Sequence, residues 1–135
     1  VGDYGTPPQL VGGSCIDTRT ELRDGRRLLV RRPSIDSIAD TDGTPVGNHR
    51  HSGRRPIAAF GNSDGDLAML QWTAAGPGPR LAMYVHHTDA EREWAYDRES
   101  PVGRLDQGLD EAEAEGWTVV DMERDWKRVF PFEPR

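Results

Sequence analysis

The chain has 135 residues and a formal net charge of −6 at pH 7, which matches one domain with an acidic surface. An acidic surface disfavours binding to nucleic acids and to anionic membranes, because both partners usually require a basic one. The apolar runs have only about half a dozen residues, far short of the roughly 20 that span a bilayer, and the single Cys15 has no partner for an internal disulfide. We therefore expect a cytoplasmic protein with no nucleic-acid or membrane partner, and a buried Cys15 side chain.

The first third of the chain predicts a short strand, a β-hairpin and a helix. Gln9–Ser14 follows two prolines and has the composition of a short strand. Asp24-Gly25 separates two runs of strand-forming residues, and this dipeptide is the strongest short-range hairpin signal. We place the hairpin at 19–32 and interpret it as an insertion. Residues 33–44 are rich in Pro, Ser, Asp and Gly and predict a loop, and a short helix is expected from Pro45 to Ser52.

From residue 57 onward, strand and helix signals alternate, as they do in α/β proteins. Thr88 and Glu91 form a capping-box pattern, which predicts the start of a helix. The expected order is a strand at Ile57–Phe60, a helix from Asp64 to Thr73, a strand at Arg80–His86, a helix from Thr88 to Tyr96, a helix at Leu105–Glu115 and a strand at Trp117–Asp121.

A tight acidic turn follows the first of these strands. Asn62, Asp64 and Asp66 are three oxygen-bearing side chains within five residues at the carboxyl end of a strand, and hard oxygen ligands suit Mg²⁺. Gly61 and Gly65 allow the backbone to approach closely. The same polar residues could instead cap the helix that follows, which is a common role for Asp and Asn. The residues alone leave both roles open.

Two further clusters carry titratable side chains. His86 and His87 stand at a strand end beside Asp89, which suggests a transition-metal site, an acid/base pair or a structural role. Adjacent strand residues point to opposite faces, so the two histidines cannot easily share one ion.

The second cluster is basic, and it lies in an otherwise acidic chain. It is a phosphate-attracting edge or a solvated helix face, and its members are His49, Arg50, His51, Arg54 and Arg55.

The acidic turn, Gly61-Asn62-Ser63-Asp64-Gly65-Asp66 followed by Leu67-Ala68-Met69-Leu70, resembles the fourth motif of the haloacid dehalogenase (HAD) superfamily. Further segments resemble HAD acid phosphatases of the phosphoserine phosphatase type and extend the similarity over nearly the whole chain: Tyr4–Pro8, Arg54–Ile57, Val85–Trp94, Gly116–Met122 and Asp125–Lys127. The resemblance implies a three-layer α/β/α Rossmannoid core, of which 45–135 would be the C-terminal part. It also implies Mg²⁺-dependent hydrolysis of a phosphorylated small molecule through an aspartyl-phosphate intermediate.

The earlier motifs of this superfamily are missing from the chain. No D-x-D-x-T/V pattern supplies the nucleophile, since Asp40-Thr41-Asp42 lies in a predicted loop, and no strand-end Ser or Thr of the second motif precedes Tyr4. The third-motif Lys aligns with Thr44. We therefore name no catalytic residue.

The resemblance still assigns roles to the residues that are present. It implies Asn62, Asp66 and Asp64 on the metal side, and a substitute for the missing Lys among Arg50, Arg54 and Arg55. We expect the Mg²⁺ site to be weak, because the first-motif aspartates would supply the other ligands. Arg is also not a simple replacement for Lys, because its charge is spread over a planar fork.

The interpretation that follows is one partial HAD-like domain over 1–135 that is inactive alone. The alternative is a non-catalytic HAD-like fragment that acts as an assembly or interaction module. The chain begins at Val1 and not at Met, so a localisation signal upstream would not be visible.

The same resemblance predicts how the chain assembles. It would place Ile57–Phe60 beside the first strand of the core and Gln9–Ser14 beside the second, and neither neighbour is in this chain. An open strand edge is a template for pairing. We therefore expect a homo-oligomer or a complementary N-terminal fragment to cover it.

Overall fold

The computed structural model describes residues 5–130 and 132, and the chain divides into two units, 1–54 and 55–135. Together they show a mixed α/β protein with a small antiparallel hairpin and a three-stranded parallel sheet. Among the described helices, none has the length and apolar character needed to cross a membrane. Tyr4, one of the residues that resemble the HAD family, lies outside the described residues.

The first unit is built around a long β-hairpin. Strands β1 (Cys15–Arg23) and β2 (Arg26–Ser37) pair antiparallel, and Asp24-Gly25 connects them. Both turn residues have positive φ, 49° and 74°, as a two-residue type I′ turn requires. The expected hairpin is confirmed, and it is longer than the predicted 19–32. We call β1 and β2 together the ribbon.

Helix α1 (Gly43–Ser52) follows the ribbon, close to the predicted bounds. It ends at Gly53, which adopts the left-handed conformation with φ 66° and donates its N–H to the His49 carbonyl. None of residues 5–54 is buried. The first unit therefore has no hydrophobic core of its own.

Three predictions for the first unit are wrong. The loop predicted at 33–44 is formed only at 38–42, because β2 continues to Ser37 and α1 begins at Gly43. Gln9–Ser14 is not a strand, because Leu10 and Val11 donate their N–H groups to the carbonyls of Pro7 and Pro8 and form a 3₁₀ turn at Pro8–Leu10. Cys15 is exposed, because it begins a strand in a ribbon that has no core. Its Sγ lies 2.9 Å from the Ser37 hydroxyl oxygen.

The second unit is a parallel sheet with two crossover helices. Its elements are β3 (Ala58–Gly61), α2 (Leu67–Ala74), β4 (Leu81–His86), α3 (Gln107–Glu115), β5 (Thr118–Asp121) and the short α4 (Met122–Asp125), and the strand order is β3-β4-β5. A 3₁₀ turn at Asp64–Asp66 leads into α2. The strands and helices predicted at 57–73, 80–86 and 105–121 are thus confirmed within a few residues.

The core of the second unit lies between one face of this sheet and the two longer helices. Ala59, Ala82 and Tyr84 project from that face and pack with Leu70 of α2 and Ala112 of α3. On the opposite face, Phe60 at the end of β3 is 62% exposed. The core therefore holds the carboxyl ends of the strands in fixed positions while part of the sheet stays accessible.

The helix predicted from Thr88 to Tyr96 is not formed; a turn at 90–93 takes its place. The Thr88 hydroxyl does not cap a helix at this position, because it donates to the Asp121 carboxylate at 2.8 Å and accepts the Glu123 N–H of α4 at 3.1 Å. Asp89 caps the turn instead, and its Oδ1 accepts the N–H groups of Glu91 and Arg92 at 3.1 and 2.9 Å.

Candidate functional site at the carboxyl edge of the parallel sheet

The polar residues predicted from the sequence meet along one edge of the parallel sheet. Because parallel strands end on the same side, Gly61 of β3, His86 of β4 and Asp121 of β5 all lie at the carboxyl edge. In open α/β sheets, this is the edge at which ligands usually bind.

The acidic turn after β3 is held by Asp66. Its Oδ2 accepts the backbone N–H groups of Asn62 at 2.9 Å and Ser63 at 3.1 Å, and also the Ser63 hydroxyl at 3.3 Å. Gly61 makes this fold of the chain possible, because a Cβ at that position would lie 2.5 Å from the Asp66 Cβ. The Asp66 carboxylate therefore has a structural task in the turn.

Asp64 joins the acidic turn to the start of α3. Its Oδ1 accepts the N–H groups of Asp106 at 3.0 Å and Gly108 at 2.9 Å, and its own N–H donates to the Arg104 carbonyl at 2.8 Å. The first N–H groups of a helix lack partners within the helix, and Asp64 supplies one from a distant part of the chain.

Asn62 begins a line of polar contacts along the edge. Its amide donates to the Tyr96 hydroxyl, and the Tyr96 ring stacks on the His87 imidazole with 4.5 Å between ring centroids. His87 Nδ1 lies 2.6 Å from Glu93 Oε2. Partial burial raises the pKa of Tyr96, the carboxylates of Glu93 and Asp66 add to that shift, and the bond from Asn62 opposes it. Tyr96 is therefore a neutral hydroxyl at physiological pH.

His86 has different partners from His87. Its Nε2 is 3.4 Å from Asp97 Oδ1, and in the sheet it pairs with Asp121. The Arg124 backbone N–H, at 3.0 Å, is the main reason why the pKa of Asp121 is lowered, and the Thr88 hydroxyl acts in the same direction. The two histidines thus do not converge on one partner.

Tyr84 lies directly beneath the edge, fully buried against α3. A Cβ on Gly108 would come within 2.7 Å of its ring and its hydroxyl, so only glycine fits at that contact. Burial raises the pKa of Tyr84, and the nearby carboxylates of Asp66, Asp64 and Glu111 raise it further. The floor of the site is therefore an uncharged phenol.

The three arginines predicted to bind phosphate have different surroundings. In the first unit, Arg50 lies 3.8 Å from the Asp36 carboxylate, and Arg54 bonds through its backbone to the Ser52 hydroxyl. In the second unit, Arg55 donates to the Trp72 carbonyl and lies over the Trp72 ring, 5.2 Å from its centroid. The Arg55 guanidinium therefore already has partners.

Sequence reasoning missed several residues of this edge. Tyr96 and Glu93 come from the segment that was predicted to be a helix, and Asp97 follows it directly. In irregular backbone no periodicity indicates where a side chain points. The link from Asp64 to Asp106 and Gly108 spans more than forty residues. Only the common Asp signal for helix capping pointed toward it.

The groups available for chemistry here are carboxylates that accept N–H groups, two histidines that each lie beside a different carboxylate, and a buried phenol. The second carboxylate oxygen of Asp66 and the amide oxygen of Asn62 remain for a cation, whereas the second oxygen of Asp64 lies 3.7 Å from Arg104 Nε. No cluster of three His, Cys, Asp or Glu side chains suited to a metal ion occurs in the part of the chain that the structure describes.

A scan of the chain against protein-family models matched no family, and a search of curated protein sequences returned no match. The function of this chain is therefore inferred from its own residues.

Proposed function

We propose that this chain is the C-terminal half of a HAD-like phosphohydrolase, and that it is inactive until a strand carrying the nucleophilic aspartate pairs with it. The observation that carries the proposal is the acidic turn of Asn62, Asp64 and Asp66 at the carboxyl end of β3, the edge strand of a parallel sheet. A phosphohydrolase of this type places its acidic groups at that end of the sheet.

The open side of β3 supports the same proposal. Among the described residues, β3 pairs only with β4, and Ile57, immediately before it, is 71% exposed. A parallel strand added there would end beside Asn62 and Asp66. An aspartate at its carboxyl end would then face the acidic turn, and the added half would complete the three-layer core.

The residues of the turn fit a weak Mg²⁺ site. One oxygen of Asp66 accepts N–H groups, so a cation would be held by the second Asp66 oxygen and by the Asn62 amide oxygen. The second oxygen of Asp64 would join them only by leaving its ion pair with Arg104 at 3.7 Å. When bound, Mg²⁺ would offset the negative charge of a phosphate group. Mg²⁺ prefers one or two carboxylates together with substrate phosphate and water, so we expect affinity to depend on the phosphorylated substrate.

One observation favours the alternative, a non-catalytic assembly module. Asp64 and Asp66 are both engaged in holding backbone N–H groups, which explains their presence without any metal. An exposed edge strand is also a surface for adding a partner strand. In this alternative, the acidic turn stabilises β3 for that contact and hydrolyses nothing.

Hydrolysis of p-nitrophenyl phosphate in the presence of Mg²⁺ tests the proposal. We expect the chain alone to show no turnover above its Asp66→Ala variant, because it lacks a nucleophile. We expect turnover in a chain that includes the residues encoded upstream of Val1, and its loss on Asn62→Ala. Gln107→Ala is the matched control, because it removes another exposed amide. Upstream residues without a D-x-D motif, together with an inactive longer chain, would favour the assembly module.

A further inference from the structure

We propose that one face of the ribbon docks onto the acidic second unit of another copy of this chain. The proposal is independent of the proposed phosphohydrolase function, because it concerns a surface that the candidate site does not include. The face is defined by the cross-strand pairs Leu22 with Arg27, Thr20 with Leu29 and Thr18 with Arg31. We call it the Leu29 face.

The Leu29 face is apolar and basic. Cross-strand partners lie on the same side of a sheet and neighbours along a strand alternate, so these six residues share one side of the ribbon. Leu22 is 65% exposed and Leu29 is 76% exposed. Among the described residues, no ion pair or hydrogen bond engages the guanidinium of Arg27 or Arg31.

The other face of the ribbon differs, because most of its charges are already paired. Glu21 accepts Arg19 and Arg23 at 2.8 and 2.9 Å, which lowers the pKa of the Glu21 carboxyl. Val30 on this side is half-buried. The two faces therefore present different surfaces to a partner. The other face exposes one leucine, Leu28 at 44%, and one arginine without a described partner, Arg26, whereas the Leu29 face exposes two leucines more fully together with two such arginines.

The ribbon would gain stability from contact with a partner. A two-stranded hairpin is marginally stable in water unless a further strand or a helix covers its apolar side. None of residues 5–54 is buried, so no core within the first unit supplies that cover. Contact with a second molecule would bury Leu22 and Leu29 and stabilise both strands.

The distribution of charge between the two units indicates which partner covers the Leu29 face. The ribbon contains six arginines and three acidic residues, whereas residues 55–135 contain nine basic and sixteen acidic residues. Several exposed glutamates of the second unit have no side-chain partner among the described residues: Glu91, Glu99, Glu113, Glu115 and Glu123. An anionic membrane or a nucleic acid would be repelled by this acidity, while a second copy supplies it as the complement to Arg27 and Arg31.

If each copy docks its Leu29 face onto the second unit of the other, the assembly is a closed dimer with two equivalent contacts. Each copy offers one Leu29 face and one acidic unit, so two copies related by a twofold axis satisfy both contacts at once. The expected assembly is a dimer that weakens as salt is raised, because counter-ions screen exposed charge pairs within a Debye length of about 10 Å at 0.1 M salt and about 3 Å at 1 M.

Sedimentation velocity of the full chain at low and high salt tests the proposal with two matched variants. Leu29→Asp places a carboxylate on the Leu29 face, and Leu28→Asp places it on the opposite face of the same strand, one residue away. We expect Leu29→Asp to weaken the dimer by about tenfold or more, because a leucine leaves the interface. Leu28→Asp should leave it close to the parent value, and Arg27→Glu combined with Arg31→Glu should act like Leu29→Asp.

Circular dichroism of each variant checks that the ribbon still folds. A parent chain that stays monomeric at low salt and high concentration would overturn the proposal, as would equal effects of Leu28→Asp and Leu29→Asp in folded proteins. Association that is unchanged in both Leu28→Asp and Leu29→Asp would overturn the proposal and indicate the β3 edge as the interface. Binding of the monomer to anionic vesicles or duplex DNA through Leu29 would also overturn it.

Discussion

Carboxylates at the candidate site hold backbone N–H groups, and this sets what each of them can do. Asp64 and Asp66 fix the acidic turn and the start of α3, while Asp89 and Asp121 fix the turns after β4 and β5. A carboxylate that accepts N–H groups favours its charged form. For Asp89 and Asp121 these bonds lower the pKa of the carboxyl, so both side chains stay negative at physiological pH.

Asp64→Ala should destabilise the second unit whether or not Mg²⁺ is present. The substitution leaves the N–H groups of Asp106 and Gly108 without an acceptor in a partly buried position, and we expect a loss of about 1–3 kcal/mol in the free energy of unfolding. Urea unfolding followed by tryptophan fluorescence measures this unit alone, because all four tryptophans lie in residues 55–135.

Asp110→Ala is the control for this measurement. Asp110 lies on α3 with an exposed side chain that pairs with Arg98, and exposed pairs contribute up to about 1 kcal/mol. A loss for Asp64→Ala that appears only when Mg²⁺ is added would contradict the capping role and identify Asp64 as a metal ligand.

At the scale of elements, the patterns that come from a packed core were predictable. β3, β4 and β5 are short apolar runs, and α2 and α3 have the length and composition of helices that cover a sheet. The Asp24-Gly25 turn was also predictable, because its positive φ values select those residue types. In each case one local physical requirement dictates the residues.

The elements that were predicted wrongly depend on partners that are distant in sequence. Thr88 has the pattern of a helix cap, yet its hydroxyl bonds to Asp121 and to the Glu123 N–H, thirty-three and thirty-five residues away. Asp89 and its Arg92 bonds then set the local turn. Local sequence propensity does not show when a bond to a distant residue replaces a local helix cap. The partners of Asn62 and His87 in this segment were missed for the same reason.

The turn after β4 should lose stability in acid through Asp89. The backbone N–H of Arg92 is the main reason why the pKa of the buried Asp89 carboxyl is lowered, and the Arg92 guanidinium adds to it. Because the folded pKa lies below the unfolded one, this contribution is present above about pH 4 and is lost as pH falls through the folded pKa.

The melting temperature of Asp89→Asn measured from pH 7 to pH 3 checks this direction. We expect the variant to melt below the parent at pH 7 and the gap to narrow as pH falls. Glu115→Gln changes an exposed carboxylate without a described partner and should show no such gap. A gap that stays constant or widens in acid would mean that Asp89 contributes through shape and not through charge.

Across the whole molecule, burial is concentrated in one unit. Every buried side chain among the described residues belongs to 55–135, with Tyr84, Leu70 and Leu105 the largest. The first unit exposes leucines and isoleucines along a ribbon of two strands. Protection of the backbone from solvent should therefore differ strongly between the units.

Hydrogen exchange of the full chain at two protein concentrations tests this difference together with the proposed dimer. At low concentration, amides of the ribbon should exchange much faster than those of β4, because an uncovered two-stranded hairpin opens at little cost in free energy while β4 opens only with the core. At high concentration, the ribbon amides should gain protection, because docking of the Leu29 face stabilises both strands, and the β4 amides should change little. Leu29→Asp should abolish the gain and Leu28→Asp should retain it. Ribbon amides that are as protected as those of β4 at the lowest concentration would mean that the ribbon is stable without a second copy, and the need for a partner would disappear.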